Sequence, residues 1–60
     1  MFNKVTLKVQ DISGNWFDIK TLSLNNDQYT LSQMKQTQKM FGGKRIKAVD
    51  AKGNLLDILD

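Results

Sequence analysis

Tyr29-Thr30-Leu31-Ser32-Gln33-Met34-Lys35-Gln36-Thr37-Gln38-Lys39-Met40-Phe41-Gly42-Gly43 carries the helical signal of the chain. Thr30 and Gln33 have the spacing of a capping box, in which the Thr hydroxyl accepts from the backbone N–H of Gln33 and the Gln side chain reaches back to the N–H of Thr30. Tyr29 before the cap and Met34 after it suit a hydrophobic staple. Gly42 stands where a left-handed C-terminal cap is wanted. Within these limits, about 30–42, Leu31, Met34, Gln38 and Phe41 fall on one stripe, with Lys35, Gln36 and Lys39 on the other side. A stripe this narrow does not hold a helix in water; it needs a sheet to lie on.

Hairpin-like segments flank the helix. Residues 2–10 alternate strictly, with Val5, Leu7 and Val9 on one face and Lys4, Thr6, Lys8 and Gln10 on the other, the period of a half-buried strand. Asp11-Ile12-Ser13-Gly14-Asn15 reads as a turn: Asp opens a type I turn and Gly supplies the positive φ that completes a bulged hairpin. Residues 16–24 make a second strand, with Phe17 and Ile19 inward and then, after a change of parity, Leu22 and Leu24. A bulge or break is therefore expected near Thr21. Asn25-Asn26-Asp27-Gln28 is a polar loop. After the helix, residues 44–50 make a third strand with Ile46 and Ala48 inward, 50–54 a turn, and 55–59 a fourth strand.

The two turns share a pattern. Asp11-Ile12-Ser13-Gly14-Asn15-Trp16-Phe17-Asp18-Ile19 aligns without gaps on Asp50-Ala51-Lys52-Gly53-Asn54-Leu55-Leu56-Asp57-Ile58, both reading D-x-x-G-N-φ-φ-D-I. With Asp11 paired to Asn15, Val9 faces Phe17, Lys8 faces Asp18 and Leu7 faces Ile19. In the second hairpin Ala48 faces Leu56, Lys47 faces Asp57 and Ile46 faces Ile58. Each inward pair is then apolar and each outward pair is Lys against Asp, worth about 0.2–1 kcal/mol. A one-residue slip would bury the charges.

One domain spanning 1–60 follows: a hairpin at about 2–24, the helix at about 30–42 and a hairpin at about 44–59. The fold class is α+β, a ββαββ chain with one helix packed on a four-stranded mixed sheet. The order and lengths of these elements resemble the β-grasp of streptococcal immunoglobulin-binding domains. That resemblance implies first and last strands side by side and parallel in the middle of the sheet. The expected core is Val5, Leu7, Val9, Phe17, Ile19, Leu22, Leu31, Met34, Phe41, Ile46, Ala48, Leu56 and Ile58. A core this small gives a few kcal/mol of net stability, which self-association would increase.

Composition restricts function. The chain has no Cys and no His, which removes thiolate metal sites, the commonest metal ligand and the commonest general base. No metal, cofactor or catalytic residue is expected, and 60 residues leave little room for a small-molecule substrate pocket. The reading is therefore non-enzymatic. No apolar run approaches the ~20 residues of a membrane span and no signal-peptide pattern opens the chain, so a cytoplasmic protein is expected. Nine basic against six acidic residues, net +3, is a mild excess that does not by itself imply nucleic acid.

Two features invite a functional reading, both on the sheet face away from the helix. Trp16, Val49, Leu55 and Leu59 place large apolar groups there, Trp16 and Leu55 at equivalent points of the two hairpins. An exposed apolar patch marks a protein interface, with a second copy or with another protein, through this face or through an edge strand. The alternative partner is single-stranded nucleic acid, stacked on Trp16 and held by Lys4, Lys20, Arg45 and Lys47, with Phe2 a second aromatic if it faces outward. A structural subunit, for example of a virion, is a third reading. Asp11, Ser13, Asn15 and Asp18 have oxygens at intervals like those of a calcium loop, but the glycine is misplaced and no Glu closes it, so turn formation explains them. Gly42-Gly43-Lys44-Arg45 ends a helix rather than opening one, which argues against a phosphate loop.

Gly43-Lys44-Arg45-Ile46-Lys47-Ala48-Val49-Asp50-Ala51-Lys52-Gly53-Asn54-Leu55-Leu56-Asp57-Ile58-Leu59, with the Lys/Asn/Gln-rich helix before it, resembles small accessory proteins of phages and prophages of low-GC Gram-positive bacteria. The resemblance covers about the C-terminal half. It implies a short protein that binds a host or phage component in a bacterial cell, and it assigns no site residues.

Overall fold

The computed structural model describes residues 4–23 and 26–60. Expectations that rest on Phe2, Leu24 and Asn25 lie outside the described residues. The elements run β1 (Val5–Gln10), β2 (Trp16–Leu22), α1 (Asp27–Met40), β3 (Ile46–Asp50) and β4 (Leu55–Leu59). The chain is α+β, one helix packed on a four-stranded sheet, in the expected ββαββ order.

The sheet order is β2-β1-β3-β4 and every pairing is antiparallel. This departs from the mixed sheet and the β-grasp arrangement: β1 pairs with β3, and β4 lies at the edge. The burial of β3 explains the choice. Ile46 and Ala48 are buried on the helix side, and Val49, on the other face, is only 7% exposed. A strand buried on both faces belongs in the centre of a sheet. The antiparallel β1–β3 ladder also avoids the slanted, slightly weaker parallel bonds that a β1–β4 pair requires. β2 and β3 run parallel on either side of β1, and α1 carries the chain back from the end of one to the start of the other.

The two turns are copies. In each, the Asp N–H donates to the Asn carbonyl at 2.9 Å, and the Gly N–H donates to the Asp carbonyl at 3.1 Å (Gly14) and 3.0 Å (Gly53). One Asp carboxylate oxygen accepts two backbone N–H groups at 2.9 Å, those of Ser13 and Asn15 in the first turn and of Lys52 and Asn54 in the second. Gly14 and Gly53 have φ of +89° and +87°, a conformation that costs any residue with a Cβ. The correspondence that carries Asp11 onto Asp50 carries Lys8 onto Lys47, and these two face each other across β1 and β3. The register therefore has an approximate twofold relation through the Lys8–Lys47 pair.

Each hairpin contains one bulge, and the bulges break the symmetry. In β2 it falls at Ile19: Lys8 pairs with Asp18 and Leu7 with Lys20. In β4 it falls at Leu56: Val49 pairs with Leu55 and Ala48 with Asp57. The expected break near Thr21 thus lies two residues earlier, and the expected Leu7–Ile19 pair does not form. In the second hairpin the bulge moves the register by one. Asp57 lies opposite Ala48 on the helix side, Ile58 opposite Lys47 on the open side, and Leu59 opposite Ile46 on the helix side. The Lys47–Asp57 pair expected from the repeat is absent, whereas its counterpart Lys8–Asp18 forms at 3.1 Å.

The helix starts earlier than the capping-box spacing implies. Asn26, in extended conformation, is the N-cap, and its Oδ1 accepts from the N–H of Tyr29 at 3.0 Å. Thr30 and Tyr29 lie inside the helix, so neither the capping box nor the staple forms. At the other end Gly43 N–H donates to Gln38 O at 2.8 Å and Gly42 N–H to Lys39 O at 3.3 Å, the bond pair of a Schellman cap.

The buried stripe is Thr30, Met34 and Thr37, with Phe41 packed beside it; Leu31 and Gln38 are half-buried on its flank. Pattern reading missed the two threonines because they are polar, although Thr30, Met34, Thr37 and Phe41 keep helical spacing. The core is Val5, Leu7, Val9, Leu22, Met34, Ile46 and Ala48, with Leu59 packed against it. Four expected core residues are exposed: Phe17, Ile19, Leu56 and Ile58. The helix packs on β3, β1 and β4. Phe17, at the far edge on β2, is left 51% exposed. Ile19 and Leu56 sit in the bulges, and Ile58 faces away from the helix.

Candidate interaction surfaces

Side chains paired across an antiparallel ladder project to the same face, so the register lays out the open face in rows. Asp18, Lys8, Lys47 and Ile58 form the middle row from β2 to β4. Thr21, Thr6, Val49 and Leu55 form a second. Trp16 and Gln10 begin a third, which Arg45 and Asp60 extend: Gln10 N–H bonds Arg45 O, and Arg45 Nε is ion-paired with Asp60.

The expected interface residues do not form one patch. The twofold relation that makes Trp16 and Leu55 equivalent puts them at opposite corners of the sheet. Val49 lies on the open face beside Leu55, but it is buried. Leu59 is on the helix side and packs on the core. Ile58, assigned to the core by the repeat, takes its place on the open face. What remains is an aliphatic area of Leu55 and Ile58 around buried Val49, with Leu55 58% and Ile58 38% exposed. Leu56, in the bulge, adds a further exposed side chain on the same strand. β4 is thus an edge strand with four apolar residues in five, three of them exposed.

The expected nucleic-acid residues are also divided. Lys20 is on the helix side, where its Nζ donates to Gln33 Oε1 at 2.7 Å. Arg45 is held by Asp60 and Lys8 by Asp18. Lys4 is exposed just before β1. Lys47 Nζ lies 4.4 Å from the centre of the Trp16 ring, a cation–π contact, and so covers a face on which a base would stack. The bulge at Leu56 brings this about: with Asp57 on the other side of the sheet, Lys47 has no carboxylate opposite it on β4.

On the helix side, a cleft of about 380 Å³ lies between the first turn of α1 and β4, lined by Asp27, Gln28, Thr30, Leu31, Leu56 and Asp57. Thr30 is 5% exposed, and its buried Oγ1 has no hydrogen-bond partner among the described residues. Asp27 and Asp57 form no ion pair among the described residues. Asp57 Oδ1 accepts from the neighbouring N–H of Ile58 at 2.8 Å. Sequence reading did not find this cleft, because it depends on the bulge that turns Asp57 toward the helix and on a helix that starts at Asp27.

Among the described residues no helix is long and apolar enough to cross a membrane. Comparison with protein-family models, with curated proteins and with solved structures gave no match to the chain.

Proposed function

We propose that the chain is a small non-enzymatic interaction module that binds a partner protein along the edge strand β4. The observation that carries this reading is the strand itself. Leu55-Leu56-Asp57-Ile58-Leu59 ends the sheet with no further strand beside it, no Lys or Pro to blunt it, and Leu55, Leu56 and Ile58 exposed; an added strand would take the Ile58 N–H over from Asp57 Oδ1, which now accepts it at 2.8 Å. Such an edge is a template for strand addition, in which main-chain bonds give affinity and alternate side chains give selectivity. The adjoining Leu55/Ile58 area extends the contact onto the open face. An accessory protein that docks on a host or phage component fits this description.

The test is selection of peptides from a random display library by the wild-type chain and by two variants. Leu55→Lys/Ile58→Lys changes the β4 surface and leaves the core intact; Trp16→Ala changes the opposite corner. Peptides retained by Trp16→Ala and lost by the β4 variant support the reading. The reverse pattern, or no selected peptide, contradicts it.

A second reading is supported by Lys8 and Lys47, which sit side by side at the centre of the open face beside Trp16. Single-stranded nucleic acid there would displace Lys47 from the ring and quench the sole tryptophan, with affinity falling steeply as salt rises. Unchanged fluorescence on adding oligonucleotide at low salt eliminates it.

A further inference from the structure

We infer that the cleft between α1 and β4 receives the Lys or Arg side chain of an extended peptide laid along β4. This rests on the strand-addition reading and specifies the partner's chemistry. An added strand is a continuation of the sheet, so its helix-side residues enter the same layer as Asp57. The residue opposite Asp57 lies about 4.5–5.5 Å from it at Cβ, at the mouth of the cleft. The six lining residues supply two carboxylates and no cation, in a chain of net charge +3. Leu31 and Leu56 offer apolar surface for the aliphatic stem, and Thr30 also lines the cleft, its hydroxyl buried beneath the surface and unpartnered among the described residues. A charged head with several N–H donors suits the two carboxylates, whose full charges exceed the partial positive charge of about half a unit at the first turn of α1.

The same charges argue against a second copy as occupant. Two β4 strands paired antiparallel about their centres bring Asp57 against Asp57, a like-charge contact that destabilises the pair. An inward-pointing charge on an edge strand is a known guard against self-pairing. Here it excludes strands that lack a complementary cation and admits those that have one.

The test uses a random heptapeptide display library panned on the wild-type chain, on Asp57→Asn, on Asp57→Lys and on Asp27→Asn, each checked for fold by circular dichroism. The expected result is enrichment of Lys or Arg at one fixed position, roughly tenfold over the library. The preference weakens on Asp57→Asn and on Asp27→Asn, and it turns to Asp or Glu on Asp57→Lys. Peptides that require Leu55 and Ile58 but show no basic preference overturn this inference and leave strand addition standing. No enriched peptide overturns both. A chain that sediments as a dimer, with its β4 amides protected from exchange in the absence of peptide, also overturns it, because a second copy then occupies the edge.

Discussion

Lys8 and Lys47 face each other across the two central strands, at the point through which the approximate twofold relation of the hairpins passes. Like charges directly opposite destabilise a sheet, and each lysine is drawn to a different neighbour. Lys8 pairs with Asp18 on β2, and Lys47 lies over Trp16. A double-mutant cycle with Trp16→Ala and Lys47→Ala is expected to give a coupling of about 0.5–1 kcal/mol in denaturant-monitored stability. A coupling of zero would mean that the ring contact does not persist in solution.

The matched turns should respond alike. Gly14→Ala and Gly53→Ala each force a Cβ into the left-handed region, at a cost of about 1–2 kcal/mol. Space does not limit either site: the nearest group to a Cβ at Gly14 is Gln10 Nε2 at 3.9 Å, and nothing lies within 4 Å at Gly53. Similar losses of thermal stability are expected; a tolerated substitution at either site would show that its turn differs from the one described.

Acid should weaken the second turn through Asp50. The backbone N–H of Asn54 is the main cause that holds its carboxyl below the ordinary value of 3.8; desolvation, the next largest influence, opposes it, and the Lys52 N–H, the Asn54 side chain and the Lys52 charge add to the lowering. A folded-state value depressed below the unfolded one contributes stability above the unfolded value and loses it as pH falls through the folded one. The stability difference between wild type and Asp50→Asn should therefore be constant near neutrality and shrink below pH 3.8. A difference that holds or grows in acid would contradict the hydrogen bonding described.

The helix start can be tested by two substitutions with opposite signs. Asn26→Ala removes the cap and should cost about 0.5–2 kcal/mol. Thr30→Val removes a buried hydroxyl that has no partner among the described residues while keeping the side-chain shape, and should be neutral or stabilising by about 1 kcal/mol. Were Thr30 the cap, as its spacing to Gln33 suggests, the two results would be exchanged.

Core residues and the edge aromatic Phe17 separate in the same way. Leu7→Ala or Met34→Ala, at fully buried sites, should cost about 2–5 kcal/mol, enough to unfold a domain of this size. Phe17→Ala, half exposed on β2, should be much milder. Equal losses on urea denaturation would place Phe17 in the core after all.

What the sequence makes legible is local. Strict alternation in Val5, Leu7 and Val9 marks a half-buried strand, and the D-x-x-G-N repeat encodes two turns with the same hydrogen bonds. Strand order is not local, and either β3 or β4 can be placed beside β1 on pattern alone. The burial of Val49 on the second face, which settles it, arises only when the sheet assembles. The bulges are equally hidden. Ile19 and Leu56 stand in matching D-x-x-G-N-φ-φ-D-I segments, yet the extra residue falls after Asp18 in one hairpin and before Asp57 in the other. One bulge thus reassigns Asp57, Ile58 and Leu59 to new faces, and with them the candidate site.

The most direct test of the docking account is nuclear magnetic resonance of the ¹⁵N-labelled chain bound to its best selected heptapeptide. Strand addition predicts intermolecular contacts between the peptide backbone and Leu55–Leu59, with the peptide's basic side chain near Asp57 and Leu31. Contacts centred on Trp16 and Lys47 at the far corner of the open face, with β4 unperturbed, would contradict it.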